Sequence, residues 1–77
     1  STVIPVFVNE AGYVVVDIVD LHGRSIKTLY SGIMRAGTTK LRWFGQDQQG
    51  NAMPSGIYFI RLTADRIHQI SRTCLIK

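Results

Sequence analysis

The sequence predicts an all-β sandwich of two antiparallel sheets with six to seven strands. Three observations carry the prediction. Seven glycines, at 12, 23, 32, 37, 45, 50 and 56, divide the 77 residues into short segments. Those segments alternate apolar and polar residues, the period of a half-buried strand. No stretch of helical length carries apolar residues at three and four spacing without a stronger strand reading laid over it.

Each element follows from local chemistry. Val3 to Val8 places Ile4, Val6 and Val8 on one face, and Pro5, which lacks a backbone donor, assigns the strand to a sheet edge. Asn9 to Gly12 turns the chain. Tyr13 to Asp20 turns Val14, Val16 and Ile18 inward and Asp17 outward, the split of a half-solvated antiparallel strand. Asp20 to Arg24 reads as a hairpin turn, because Gly23 tolerates positive φ and the Asp20 side chain accepts bonds from nearby backbone. The returning strand is Ser25 to Tyr30. Ile26 and Leu29 lie an odd number of residues apart, so burying both requires a bulge or a change of twist between them.

A second turn is expected over Ser31 to Gly37. Thr38 to Phe44 follows, with Thr39, Leu41 and Trp43 on one face and Lys40 and Arg42 on the other. The polar, glycine-bounded run from Gly45 to Gly50 is a surface loop. Pro54, Ser55 and Gly56 then lead into a strand, Ile57 to Thr63, that lines Tyr58, Ile60 and Leu62 along one face. A tight turn at Ala64 to Arg66 and a last strand, Ile67 to Ile76, complete the order. Trp43 and Tyr58 are the largest expected core residues.

Composition narrows the function classes. Hydrophobic residues at 45% and charged residues at 18% describe a folded domain rather than a disordered chain. At this length one domain, residues 1–77, is expected, and a fold buries only about 60% of its unfolded surface, which leaves little room for an enclosed active site. The longest apolar runs are too short to span a membrane. The net charge is +4, and the nine basic residues are scattered from Arg24 to Lys77 rather than bunched as in a nucleic-acid binder. The single cysteine, Cys74, excludes an internal disulfide.

Catalytic and cofactor motifs are absent from the sequence. His22 and His68 lack converging partners at metal-ligand spacing, and Asp17 and Asp20, three apart on an extended strand, face opposite ways. Asp47 reads as a turn residue rather than a calcium ligand, since its loop lacks a carboxylate series. Ser25, Ser55 and Ser71 have no glycine elbow around them. The expectation is therefore a protein that is not an enzyme and takes no cofactor. One surface possibility remains. If the strands bearing Lys40 and Arg42 and bearing Phe59 and Arg61 are neighbours, these four residues form a basic outer face with an aromatic in it, suited to a polyanion, a sugar or another protein.

Taken in order, Ile4, Val6 and Val8; Asp20, Gly23 and Arg24; Gly37; Trp43 with Gly45, Asp47 and Gly50; and Ser55-Gly56-Ile57-Tyr58 resemble, over nearly the whole chain, two related groups of modules. One is the C-terminal Ig-like module of bacterial proteins exported by the type IX route. The other is the Ig-like domain of the flagellar hook-capping protein. The resemblance implies an Ig-like β-sandwich that belongs to a larger protein. Asp20, Gly23, Arg24, Gly37, Trp43, Gly50, Gly56 and Tyr58 would be its fold signature.

The closing stretch Arg72, Cys74, Leu75, Ile76 and Lys77 is similar to a sorting strand. It directs the leading expectation to a type IX sorting and cell-surface attachment domain. That reading implies the outer-membrane export machinery and an upstream cargo domain as partners, and an exported, surface or extracellular location. The second expectation is a structural spacer or assembly domain of a flagellar hook-cap-like scaffold or of a multidomain surface enzyme.

Overall fold

The computed structural model describes residues 1–65 and 67–76, without the side chain of Ile67. Six strands follow one another: β1 (Thr2–Val8), β2 (Gly12–Val19), β3 (Ser25–Met34), β4 (Gly37–Trp43), β5 (Gly56–Ala64) and β6 (Ile67–Leu75). They form a two-stranded sheet, β1-β4, and a four-stranded sheet in the order β3-β2-β5-β6, with every ladder antiparallel. The all-β, two-sheet expectation holds at six strands.

Alternation along β1 and β2 fills the space between the sheets. Ile4, Val6 and Val8 from β1 meet Val14, Val16 and Ile18 from β2, with Met34, Trp43, Tyr58, Leu62 and Leu75 completing the buried cluster. Trp43 is fully buried. Its ring meets the Tyr58 ring edge-on, with centroids 5.0 Å apart and planes at 73°, the geometry in which one ring's positive edge faces the other's negative face. Both polar tips are satisfied. Trp43 Nε1 donates to the Gln46 carbonyl at 2.9 Å, and the Tyr58 hydroxyl donates to the Pro54 carbonyl at 2.6 Å. The latter bond returns a few residues upstream, as the tyrosine corner of Ig-type sandwiches does, and fixes the Pro54–Gly56 entry to β5.

The bulge inferred from the odd spacing of Ile26 and Leu29 is a double one. Along the β2–β3 ladder Val16 faces Tyr30 but Asp17 faces Thr28, and Ile18 faces Lys27 but Val19 faces Ser25. Leu29 and Ile26 are thus the residues left out of pairing, and both pack against the core. Two single-residue slips let side chains of opposite parity turn the same way.

Three expectations are corrected. β3 does not end at Tyr30 but continues through Gly32 to Met34, because Tyr30 and Met34 resume inward alternation after the bulges; the turn to β4 shrinks to Arg35 and Ala36. Asp17 does point away from the core cluster, yet it is only 7% exposed, because neighbouring strands crowd it. The last strand ends at Leu75 rather than Ile76. Residues 68, 70, 72 and 74 face outward, and on the inward side Gln69 and Ser71 remain exposed while Leu75 is buried. The four-stranded sheet is wider than the two-stranded one, so β6 overhangs the core instead of closing it.

Candidate interaction surfaces

Two surface turns share one design. In the first, Asp20 Oδ1 accepts from the backbone N–H of His22 and of Arg24, each at 2.9 Å, and Oδ2 accepts from Arg24 Nε at 2.8 Å. Backbone bonds Asp20 N–H to Arg24 O and Gly23 N–H to Asp20 O close the loop, both at 3.0 Å. In the second, Asp47 Oδ1 accepts from Gln49 N–H at 3.0 Å and Asn51 N–H at 2.8 Å, and Oδ2 accepts from Asn51 Nδ2 at 3.2 Å. The matching backbone bonds run from Asp47 N–H to Asn51 O at 2.9 Å and from Gly50 N–H to Asp47 O at 3.1 Å. Each turn needs left-handed backbone at its fourth residue, where Gly23 (φ 79°) and Gly50 (φ 89°) stand.

The electrostatics follow the bonding. Withdrawal from water raises the Asp20 carboxyl, but bonds from the Arg24 backbone and side chain and from the His22 backbone outweigh this and hold it below its ordinary value. For Asp47 the Asn51 backbone bond dominates and also lowers it, helped by the Asn51 side chain and the Gln49 and Gly50 backbone against partial desolvation. Both carboxylates accept three bonds from donors of their own turns. The Asp47 turn also seals the edge of β3: Gln48 N–H bonds the Ile26 carbonyl at 2.9 Å, and Gln48 Oε1 receives Thr28 N–H at 3.0 Å.

The remaining signature residues serve packing and chain direction. Gly37 opens β4 with φ 109°. Gly45, which the signature omitted, is buried, and a side chain there would meet the Leu75 methyl carbons at 3.1 Å. Gly56 has neither a positive φ nor a crowding neighbour. Arg72, Cys74 and Leu75 lie at the end of β6, where Arg72 pairs with Phe59, Cys74 with Ile57 and Leu75 with Gly56, and Ile76 follows the strand. Of the four, only Leu75 is buried. Lys77 lies outside the described residues.

The four residues of the suggested basic face do not come together. β4 pairs with β1 and β5 lies between β2 and β6, so Lys40 and Arg42 lie on one outer face of the sandwich and Phe59 and Arg61 on the other. On the four-stranded sheet, Arg61 and Asp17 are cross-strand partners. The Arg61 guanidinium donates to Asp17 Oδ2 at 3.2 Å, and Thr28 Oγ1 donates to Asp17 Oδ1 at 2.8 Å. Arg61 is spent on an internal pair.

On the two-stranded sheet the register sets Val3 opposite Arg42, Pro5 opposite Lys40 and Phe7 opposite Thr38. This face is an apolar row beside a basic row. Val3 is 45% and Phe7 63% exposed. Arg42 donates to Ser1 Oγ at 2.8 Å, and among the described residues neither Lys40 nor Arg42 meets a carboxylate. The apolar row was hidden in the sequence by the inward set it interleaves. Its signal is that Val3 to Val8 is apolar at both parities, which a strand with one solvated face does not need.

No group of three or more His, Cys, Asp or Glu converges as a metal site among the described residues. Among the described residues no helix is long and apolar enough to cross a membrane. An open groove beside the β1–β2 loop, lined among others by Phe7, Glu10, Tyr13, Leu62, Asp65 and Gln69, carries two acids, Glu10 and Asp65, and among the described residues no Lys, Arg or His.

Fold, double bulge, tyrosine tie and paired aspartate turns together define a small Ig-like β-sandwich module. The chain belongs to the FlgD Ig-like domain family, which matches it over residues 2–67. The basal-body rod modification protein FlgD of Salmonella typhimurium is 39% identical over 54 residues, covering 70% of this chain and 23% of that protein. FlgD of Salmonella typhi gives the same figures. The chain thus corresponds to about a quarter of the length of these relatives.

Membership of this family overturns the leading expectation of a type IX sorting domain. The outer-membrane export machinery and cargo domain as partners, and the cell-surface address, fall with it. The reason is physical. Aspartate turns, a core tryptophan and a Gly-Ile-Tyr strand entry are demands of the sandwich itself, common to both resembling groups. The closing strand that favoured sorting is an ordinary ladder partner of β5.

Proposed function

We propose that residues 1–77 form one Ig-like structural module of a larger flagellar assembly protein acting at the rod and hook, and that it works by presenting surfaces rather than by catalysis. The observation that carries this reading is the family match over residues 2–67, joined by relatives named for modification of the basal-body rod. A rigid sandwich suits the role. Its core is continuous, its turns are tied by their own aspartates, and its outer faces are free to contact neighbouring subunits.

A chimera tests the proposal. In a Salmonella strain lacking its own FlgD, the matched segment is replaced by this chain and swimming is scored together with basal bodies seen by electron microscopy. Restored rods and hooks are expected. A stable, exported chimera that leaves cells non-motile with arrested basal bodies overturns the reading.

A further inference from the structure

From the outer face of the β1–β4 sheet we infer a docking site for an acidic amphipathic helix of a partner protein. The inference stands apart from the flagellar reading, since it rests on charge, exposure and dimensions of this face alone.

Charge complementarity comes first. The outward residues of the two strands are Val3, Pro5 and Phe7 on β1 and Thr38, Lys40 and Arg42 on β4, and none is acidic. Elsewhere the cations nearest to acids are used up, Arg61 by Asp17 and Arg24 by Asp20. Lys40 and Arg42 are not, so a carboxylate brought to this face gains two partners without breaking an existing ion pair.

Dimensions suit a helix. Two strands about 4.8 Å apart make a strip roughly 10 Å wide, about one helix diameter, so a single helix laid along it covers both rows at once. Lys40 and Arg42, two residues apart on a strand, are separated by about 6.6 Å along it. Carboxylates four apart on a helix are about 6 Å apart along its axis and fall over the two cations in turn. An apolar stripe beside them then lies along Val3, Pro5 and Phe7. A nucleic-acid or glycan chain fits less well, because two cations neutralise few charges and the apolar row would remain against water.

The test uses the whole chain, isotopically labelled, and a synthetic helical peptide with a leucine stripe flanked on one side by glutamates four apart. Expected are NMR shift changes confined to Val3, Phe7, Thr38, Lys40 and Arg42, weakened by added salt. The K40E/R42E variant should lose about tenfold in affinity, within the range two exposed ion pairs supply. The same variant should gain binding to a peptide with lysines in place of the glutamates. This reversal shows that it is folded and that the effect is one of charge. Absence of shifts, shifts on Phe59 and Ile70 instead, equal binding of a scrambled peptide, or stronger binding of heparin at the same residues overturns the inference.

Discussion

On the four-stranded sheet the outward carboxylate of Asp17 is covered and held by Arg61 and Thr28, whereas on the two-stranded sheet the outward cations Lys40 and Arg42 stand beside an exposed apolar row. Both faces mix charge with apolar residues; Ile70, outward on the wider sheet, is 66% exposed. The difference is in where the charges end. A covered carboxylate must be paired within the domain, because burial without a partner is costly. A solvated cation carries no such demand, so the narrower face is free to seek its partners outside. The contrast teaches that net charge does not locate an interaction surface, and that the pairing of each charge does.

The comparison breaks most completely if the narrow sheet loses its anchor. Trp43→Ala removes the fully buried ring that ties β4 to β5, and a loss of about 3–5 kcal/mol is expected from urea unfolding. In a domain of this size that is a large fraction of total stability. A midpoint unchanged within error would show that the sheets do not depend on this contact.

The sharper test sets two arginines against each other. Arg61→Met leaves the covered Asp17 carboxylate with Thr28 alone and should cost about 1–3 kcal/mol. Arg42→Met, on the solvated face, should stay within about 0.5 kcal/mol. Equal losses would erase the distinction between the faces.

Acid should act on the aspartate turns. Asp20 and Asp47 are both lowered in the folded chain, so their contribution is present above the unfolded value of about 3.9 and is lost as pH falls through the folded values. Melting temperature should therefore decline as pH drops below about 4. Asp20→Asn and Asp47→Asn should each melt a few degrees lower at neutral pH and show a shallower decline in acid. A variant as acid-sensitive as the parent would remove its aspartate from this account.

The smallest expected effect is that of Lys40→Met, a change in Tm close to the error of the measurement, because its stem rests on a solvated face and its charge has no partner among the described residues.

Much of this architecture was legible in local pattern. Inward alternation in β1, β2 and β5 read correctly because one face of each is buried, and the parity of Ile26 and Leu29 announced an irregularity in β3, a bulge or a change of twist, that the ladder resolves as bulges. The end of β3 was not legible, since Ser31 and Gly32 carry turn-like composition while long-range pairing to Val15 and Val14 keeps them extended. Which strands share a sheet was not legible either. That depends on contacts between segments far apart in sequence, and it decided the fate of the Lys40, Arg42, Phe59 and Arg61 face. The turn at Asp20 was readable from one aspartate and one glycine. Its twin at Asp47 has the same spacing, but the polar residues around it obscured the match.

The two aspartate turns also bear on how the chain reaches this state. Apart from the Gln48 bonds to β3, every bond in them spans four residues or fewer, so each can close without waiting for distant segments to meet. Sandwiches are dominated by pairings between remote strands and fold slowly for that reason. A preformed reversal at Asp20 brings β2 and β3 together at little entropic cost, and the one at Asp47 turns the chain after β4. The slow search is then reduced to pairing β1 with β4, bringing β5 onto β2 and laying the narrow sheet onto the wide one.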